Sequence, residues 1–426
     1  MSMEPIMKIN PALYSRDGAL PALSRLDIQE LRTQLGDALP ENALDSPLQD
    51  YEISNIRYKP NEKMVLALTS AKGEKPLALR IYPPSKTRAR WQAADKYHPH
   101  LVYEIPGLDA VAWTFPAERK LRLAVINDRV ALSDLLKKKH NEILNDLTMV
   151  HYVPEHTYTA RLEGYNSNQT TTNYLKIYYN NTGARTCRLM HHLKDQVDNQ
   201  SLLAFPQRVS YSEEHRLLVQ DALPIEDSPR DILRQIRALA EFHKLDWIEE
   251  KSHLHEPAPN TRRTRALVCM TFPELAPRTT LLLDRLSANP PSSASSPVLI
   301  HGDAHFGNLL QLKNNRVGFI DLDQCCWGSA ERDLAAYFGF LLWTRLGKEF
   351  CVTEMMELLD AYNGQGHCPI SLESFATHLA ANILCDRISR GIARGKILCV
   401  ANLELLLNLG EKALDLANFQ RARRVL

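Results

Sequence analysis

The chain has no uninterrupted run of about 18 apolar residues, the length that a membrane-spanning helix needs, so no span is expected. Its opening segment, MSMEPIMKINPALYSRDG, also lacks the apolar stretch of a secretory signal, and a cytoplasmic protein is the expectation. Charge of one sign is missing too. The 51 Lys and Arg stand against 50 Asp and Glu, a formal net charge of +1, which gives no electrostatic reason to expect nucleic acid or an anionic membrane as partner. Cysteine is present without a metal pattern. None of Cys187, Cys269, Cys325, Cys326, Cys351, Cys368, Cys385 and Cys399 forms a C-x-x-C pair, and adjacent Cys325 and Cys326 have no second pair to complete a zinc site. Reduced, mostly buried thiols are the simplest reading.

What is present is an ordinary globular composition. The 426 residues are 44% hydrophobic and 24% charged, enough for two or three packed units. A segment from Leu26 to Leu35 reads as a short helix ended by Gly36. Two regions then resemble one another. Arg57-Tyr-Lys-Pro60, Lys63 to Leu68, a charged turn and Leu77-Ala-Leu-Arg-Ile-Tyr82 form the first. His151-Tyr-Val-Pro154, Thr157 to Leu162, a polar turn and Tyr174-Leu-Lys-Ile-Tyr178 form the second. Both alternate as antiparallel strands do, and Arg80 stands in the first where Lys176 stands in the second. Another hairpin is expected over Arg208 to Leu223, a helix over Asp231 to Leu245, and a polar loop over Glu256 to Arg265. The last hundred residues are helical in pattern, with Leu403, Leu406 and Leu407 on one face as core.

The chemistry is concentrated after the Pro- and Ser-rich segment Pro290 to Pro297. There the chain reads Val298-Leu-Ile-His301-Gly-Asp303-Ala-His305-Phe-Gly-Asn308, a polar turn, and Val317-Gly-Phe-Ile-Asp321-Leu-Asp323. A lone His-Gly-Asp tripeptide is weak, but this conjunction between apolar strands matches the H-x-D-x-x-x-x-N loop of kinases with its following acid. Phosphoryl transfer needs a carboxylate to accept the proton of the attacking hydroxyl, and Asp303 suits that role. It also needs hard oxygen donors for Mg²⁺, which Asn308 and Asp321 supply. A hairpin between them would let ligands thirteen positions apart converge. His301 is expected to brace the loop by hydrogen bonding, and His305 likewise.

His301 to Asn308, with Phe319-Ile-Asp-Leu-Asp323 and Gly328-x-x-x-x-Asp333-Leu-Ala335, resembles the aminoglycoside phosphotransferase and choline kinase-like family. The resemblance implies an α+β, protein kinase-like bilobal fold, with a β-rich N-lobe, a helical C-lobe and ATP between them. It implies a catalytic base at Asp303, Mg²⁺ ligation at Asn308 and Asp321, a further acid at Asp323 and a structural acid at Asp333. It also implies a nucleotide-binding lysine at Lys176, a turn from Pro154 to Thr157 covering the nucleotide, and a hinge at Val219, Asp221 and Leu223. Residues 1–105 resemble the N-terminal cap of maltokinase-like sugar kinases, a subdomain like the N-lobe. On that reading 106–224 are the N-lobe and hinge, and 225–426 the C-lobe.

Two departures stand out. No G-x-G-x-x-G loop occurs, and the stretch Thr182 to Gln196 holds no Glu to pair with Lys176. The implied activity is transfer of the γ-phosphoryl group of ATP to a small-molecule hydroxyl, with sugars, amino sugars or aminoglycosides as acceptors. The alternative is a nucleotide-binding pseudokinase or scaffold, which has no need of an intact base. A protein kinase is disfavoured by Gly302, where those enzymes carry Arg, and by the short interval between Asp323 and Asp333. Oligomeric state is not encoded legibly.

Overall fold

A computed structural model describes residues 10–70, 75–166, 169–198, 200–247, 258–291, 296–346, 352–365 and 369–425. The chain divides into two compact units: residues 1–184, 208–222 and 391–398 form the first, and 185–207, 223–390 and 399–426 the second. Among the described residues, no helix is long and apolar enough to cross a membrane.

The first unit is built on two five-stranded sheets with one strand order. In the first sheet, β1 (Tyr51–Lys59), β2 (Lys63–Ser70) and β3 (Leu77–Ile81) form an antiparallel meander. A helix, Pro84–Asp95, follows, and then β4 (Val102–Ile105) and β5 (Ala110–Thr114), with β5 seated between β3 and β4. The second sheet repeats this with β6 (Ile143–Val153), β7 (Thr157–Asn166) and β8 (Gln169–Tyr178). The helix Thr182–Lys194, which from Arg185 on belongs to the second unit, follows β8 in the chain, and the last two strands are β10 (Val209–Ser212) and β11 (Leu217–Asp221), with β11 beside β8. The two sheets share one apolar cluster, to which the first gives Ala67, Val111 and Trp113 and the second Tyr158, Leu175, Ile177 and Val219. Each fully buried Val, Leu or Ile side chain among them contributes roughly 1.5–3 kcal/mol of burial free energy.

The second unit is mainly helical. Ile232–Phe242, Ala330–Thr344, Leu372–Ala381 and the long Val400–Val425 are its principal helices, and Leu403, Leu406 and Leu407 are buried as the spacing predicts. Short strands complete it. β9 (Leu203–Ala204) runs parallel to β14 (Val317–Phe319), which pairs with β13 (Leu309–Gln311), while β12 (Val298–Ile300) pairs with β15 (Cys326–Gly328).

Two local expectations are corrected. The early helix spans Ile28–Ala38, so Gly36 does not end it. Its start is fixed by the Asp27 carboxylate, which accepts from the amides of Gln29 and Glu30, and it ends at Leu39, whose extended ψ of 134° is what a following proline, Pro40, demands. The polar segment at Glu256 to Arg265 is not all loop. Residues 256 and 257 lie outside the described residues, and a helix, Thr261–Thr271, begins under an Asn260 cap. Its buried residues Thr264, Leu267, Val268 and Thr271 recur at helical spacing beneath an arginine-rich outer face.

Candidate active site

The buried strand β12 delivers the chain to His301, and β13 takes it away after Asn308, so residues 301–308 form the connection. Gly302 has φ +80°, and a Cβ there would lie 2.3 Å from the backbone oxygen of Gln324, so glycine alone fits. The fully buried Asp333 holds the start of the loop, its carboxylate accepting from the amides of His301 at 2.5 Å and Gly302 at 2.9 Å. His243 Nε2 lies 3.2 Å from the same carboxylate, and its Nδ1 is 2.6 Å from the Tyr362 hydroxyl. Burial pushes the Asp333 carboxyl up, yet the bond from His243 and its neighbours hold it below the usual aspartate value. His301 is itself buried, with Nε2 3.0 Å from the Ile320 carbonyl, and so ties the loop to the end of β14.

The β13–β14 hairpin brings the chemistry-bearing residues together. Leu309 pairs with Phe319, and the amide of Ile320 donates to the Asn308 carbonyl at 3.1 Å, which places Asn308 across from the residue before Asp321. The Asn308 side-chain nitrogen donates to the carbonyl of Asp303 at 3.0 Å. Asp321 takes a left-handed backbone (φ +58°) and is exposed, and its charge reaches Asp303. Burial and Asp321 both raise the Asp303 carboxyl, but Arg390 and His305 outweigh them, and it stays below the usual aspartate range.

Arg390 was not foreseen from sequence. Its Nη1 lies 3.1 Å from Asp303 Oδ1, although the two are 87 positions apart. The signal that could have found it is the run Asp386-Arg387-Ile-Ser-Arg390, which repeats arginine at helical spacing. Asn382–Arg387 is a π-helical turn, a widening that re-aims the following residues. His305 stacks on Phe340 (centroids 4.5 Å, planes 21° apart) and accepts the Gly307 amide at 3.0 Å. Burial lowers its pKa to about 4, so at neutral pH its ring is uncharged. Asp323 is drawn the other way: its Oδ1 accepts from the Thr186 hydroxyl at 3.0 Å, and Arg185 donates to its carbonyl at 3.2 Å. That ties Asp323 to the helix Thr182–Lys194.

Of the remaining expected residues, Lys176, Val219 and Asp221 lie on the second sheet. Lys176 on β8 pairs with Thr159 and Leu218, and its Nζ sits 5.3 Å from the Tyr178 ring centre. Val219 and Asp221 lie on β11, the Val219 side chain fully buried and the Asp221 carboxylate accepting the Arg208 amide at 3.1 Å. Leu223 belongs to the second unit, where it packs so close to Gly318 that a Cβ there would meet it at 2.5 Å.

The donor set suits a hard cation that arrives with phosphate. No group of three or more His, Cys, Asp or Glu able to hold a metal occurs among the described residues. With its nitrogen committed to Asp303, the Asn308 amide has its oxygen left to ligate, and the Asp321 carboxylate lies one residue beyond the hairpin contact. One carboxylate and one amide oxygen, completed by water and substrate phosphates, is how Mg²⁺ is commonly held.

The phosphotransferase enzyme family matches this chain over residues 167–369, a span that contains Lys176, the 301–308 loop, Asp321, Asp323 and Asp333. Over those residues the chain is similar to that family. Arg390 and the whole first sheet lie outside the phosphotransferase match. Among curated proteins nothing matches. Similar solved structures include spectinomycin phosphotransferase APH(9)-Ia with ADP and spectinomycin, 14% identical with a TM-score of 0.46, covering 67% of this chain and 96% of that one. Amicoumacin kinase hAmiN with AMP-PNP and Ca²⁺ is 13% identical with a TM-score of 0.47, covering 68% and 96%. Choline kinase LicA from Streptococcus pneumoniae is 14% identical with a TM-score of 0.44, covering 67% and 97%.

Proposed function

We propose that this phosphotransferase moves the γ-phosphoryl group of ATP to a hydroxyl of a small molecule, with sugars, amino sugars or aminoglycosides as the acceptor class. The observation that carries the reading is the tie between Asp303, Asn308 and Asp321 through one loop and one hairpin. Asp303 takes the proton of the acceptor hydroxyl as its oxygen bonds to the γ-phosphorus and the bond to ADP breaks. A base held below the usual carboxylate range is ionised at neutral pH and ready to accept. Asn308 and Asp321 hold Mg²⁺, which when bound neutralises the charge that develops on the phosphoryl oxygens. Lys176 serves the nucleotide phosphates, and the backbone around Val219, Asp221 and Leu223 the adenine.

The test is Mg²⁺-dependent ATP consumption measured across panels of sugars, amino sugars, aminoglycosides and amino alcohols. One panel is expected to release ADP in step with a phosphorylated product, and EDTA to stop it. Absence of both turnover and Mg·ATP binding sinks the reading. Tight Mg·ATP binding without turnover on any panel supports the scaffold alternative, which is favoured by the lack of any acidic residue on the helix Thr182–Lys194.

Arg390 follows as a positioning residue for Asp303. Its guanidinium fixes the carboxylate by a half-buried ion pair (side chains 31% and 23% exposed), which is worth more than a surface pair but less than a sealed one. Arg390→Met is expected to lower kcat roughly tenfold, about 1.4 kcal/mol of barrier, while KM for ATP stays within about twofold. An unchanged kcat in steady-state assays would remove Arg390 from the mechanism.

A further inference from the structure

The three-residue turn between β6 and β7, Pro154-Glu155-His156, has an unusual occupant. Glu155 takes φ +62°, a left-handed backbone that suits Gly or Asn and is costly for a longer side chain. The matching turn of the first sheet, Pro60-Asn61-Glu62 between β1 and β2, has an asparagine at that position with φ +59°. Backbone shape alone therefore does not explain a glutamate.

Its carboxylate does. Glu155 is buried, and three cations converge on it: Lys63 Nζ at 2.6 Å, Arg119 Nε at 2.7 Å and Arg80 Nε at 3.0 Å. None of the three belongs to the second sheet. Lys63 opens β2, Arg80 lies on β3, and Arg119 follows β5. Arg80 is fully buried over the Trp113 ring at 4.6 Å and also contacts Glu118 at 2.5 Å, while Glu118 accepts from the Tyr152 hydroxyl on β6. Burial raises the Glu155 carboxyl, but Arg80, Lys63 and Arg119 together bring it down to about 2, so it is charged at any working pH.

The two sheets share a strand order, and Arg80 occupies on β3 the place of Lys176 on β8: each sits on the third strand, paired to the second and the fifth. In the first sheet the anions at that cation are Glu118 and the glutamate of the neighbouring turn. Burying Arg80, Glu118 and Glu155, with Lys63 and Arg119 still partly in water, is a poor way to gain stability, since well-packed apolar residues do as well. What such a network supplies is one fixed geometry for the turn.

We propose that Glu155 and the Lys63–Arg80–Arg119 cluster make the first sheet a positioning device for the β6–β7 turn, and through that turn for the nucleotide phosphates. The second half rests on the reading that this turn covers ATP, and the first half stands without it. Glu155 is then a positioning residue, and the first sheet is a working part of nucleotide binding.

Hydrogen exchange with mass spectrometry on the full chain tests the anchoring, using Glu155→Asn, which suits the left-handed backbone but removes the charge, and Lys63→Met, which deletes one partly exposed cation. Both variants are expected to speed exchange of the amides at 152–158 at least tenfold. Amides of the helix Arg129–His140 serve as a control for global loosening and keep their rates. Unchanged exchange at the turn in both variants overturns the proposal, as does equal acceleration in the control helix. In the same variants KM for ATP is expected to rise about tenfold, with kcat and acceptor KM within twofold. Faster turn exchange with an unmoved KM for ATP overturns the nucleotide half. A wild-type protein that does not bind Mg·ATP refutes the proposed function instead, and the exchange result still decides the anchoring.

Discussion

Asp303→Asn is expected to lower kcat by about 10²- to 10⁴-fold, the usual size of a lost general base, and to leave the Kd for Mg·ATP within about twofold. Asparagine keeps the shape and can still meet Arg390, so the loop geometry survives and the loss falls on proton acceptance. Asp303 supports the loop through its backbone, since its carbonyl, not its carboxylate, accepts from Asn308. Among the described residues, the ion pair its side chain makes is the one to Arg390. Asp321→Ala supplies the contrast: loss of the proposed cation ligand is expected to weaken Mg²⁺-dependent nucleotide binding itself. Calorimetric titration with Mg·ATP and single-turnover kinetics separate the two. Equal loss of nucleotide binding in both variants would mean that the division of roles between the two acids is wrong.

The candidate site was legible in sequence to the extent that its geometry is local. His301 to Asn308 is one connection between two strands, and Asp321 follows across a single hairpin, so residue spacing largely dictates their meeting. The same holds for Lys176, where an apolar flanking pattern marks the strand. Contacts closed by the fold were invisible. Arg390 reaches Asp303 across 87 positions, and His243 reaches Asp333 across 90. Glu155 was read only as part of a turn, because nothing in Pro154-Glu155-His156 says that three cations from another sheet converge there. Helix ends were misread for a different reason. Gly36 and the polar run after Glu256 are average signals, and the Asp27 and Asn260 caps, with Pro40, decided against them.

The other large effect lies away from the reacting atoms. Asp333→Ala is expected to destabilise the helical unit by about 3–5 kcal/mol, the cost of removing one side of a buried charged network. The carboxylate satisfies two backbone amides and one imidazole in a place fully closed to water, and alanine leaves all three without an acceptor. Asp333→Asn is not a rescue, since its NH₂ would face one of those donors. For a unit of this size the loss corresponds to a fall in Tm of roughly 10 °C, read by differential scanning calorimetry. The pH dependence has a definite sign. The folded pKa lies below the ordinary value of 3.8, so the stabilisation is complete above that value and fades as pH falls further. The Tm gap between wild type and Asp333→Ala should therefore be constant from neutral pH down to about 5 and narrow below 4. A variant with wild-type Tm would show that the start of the loop is held by something other than Asp333, and would separate the loop's geometry from the acid on which its two amides close.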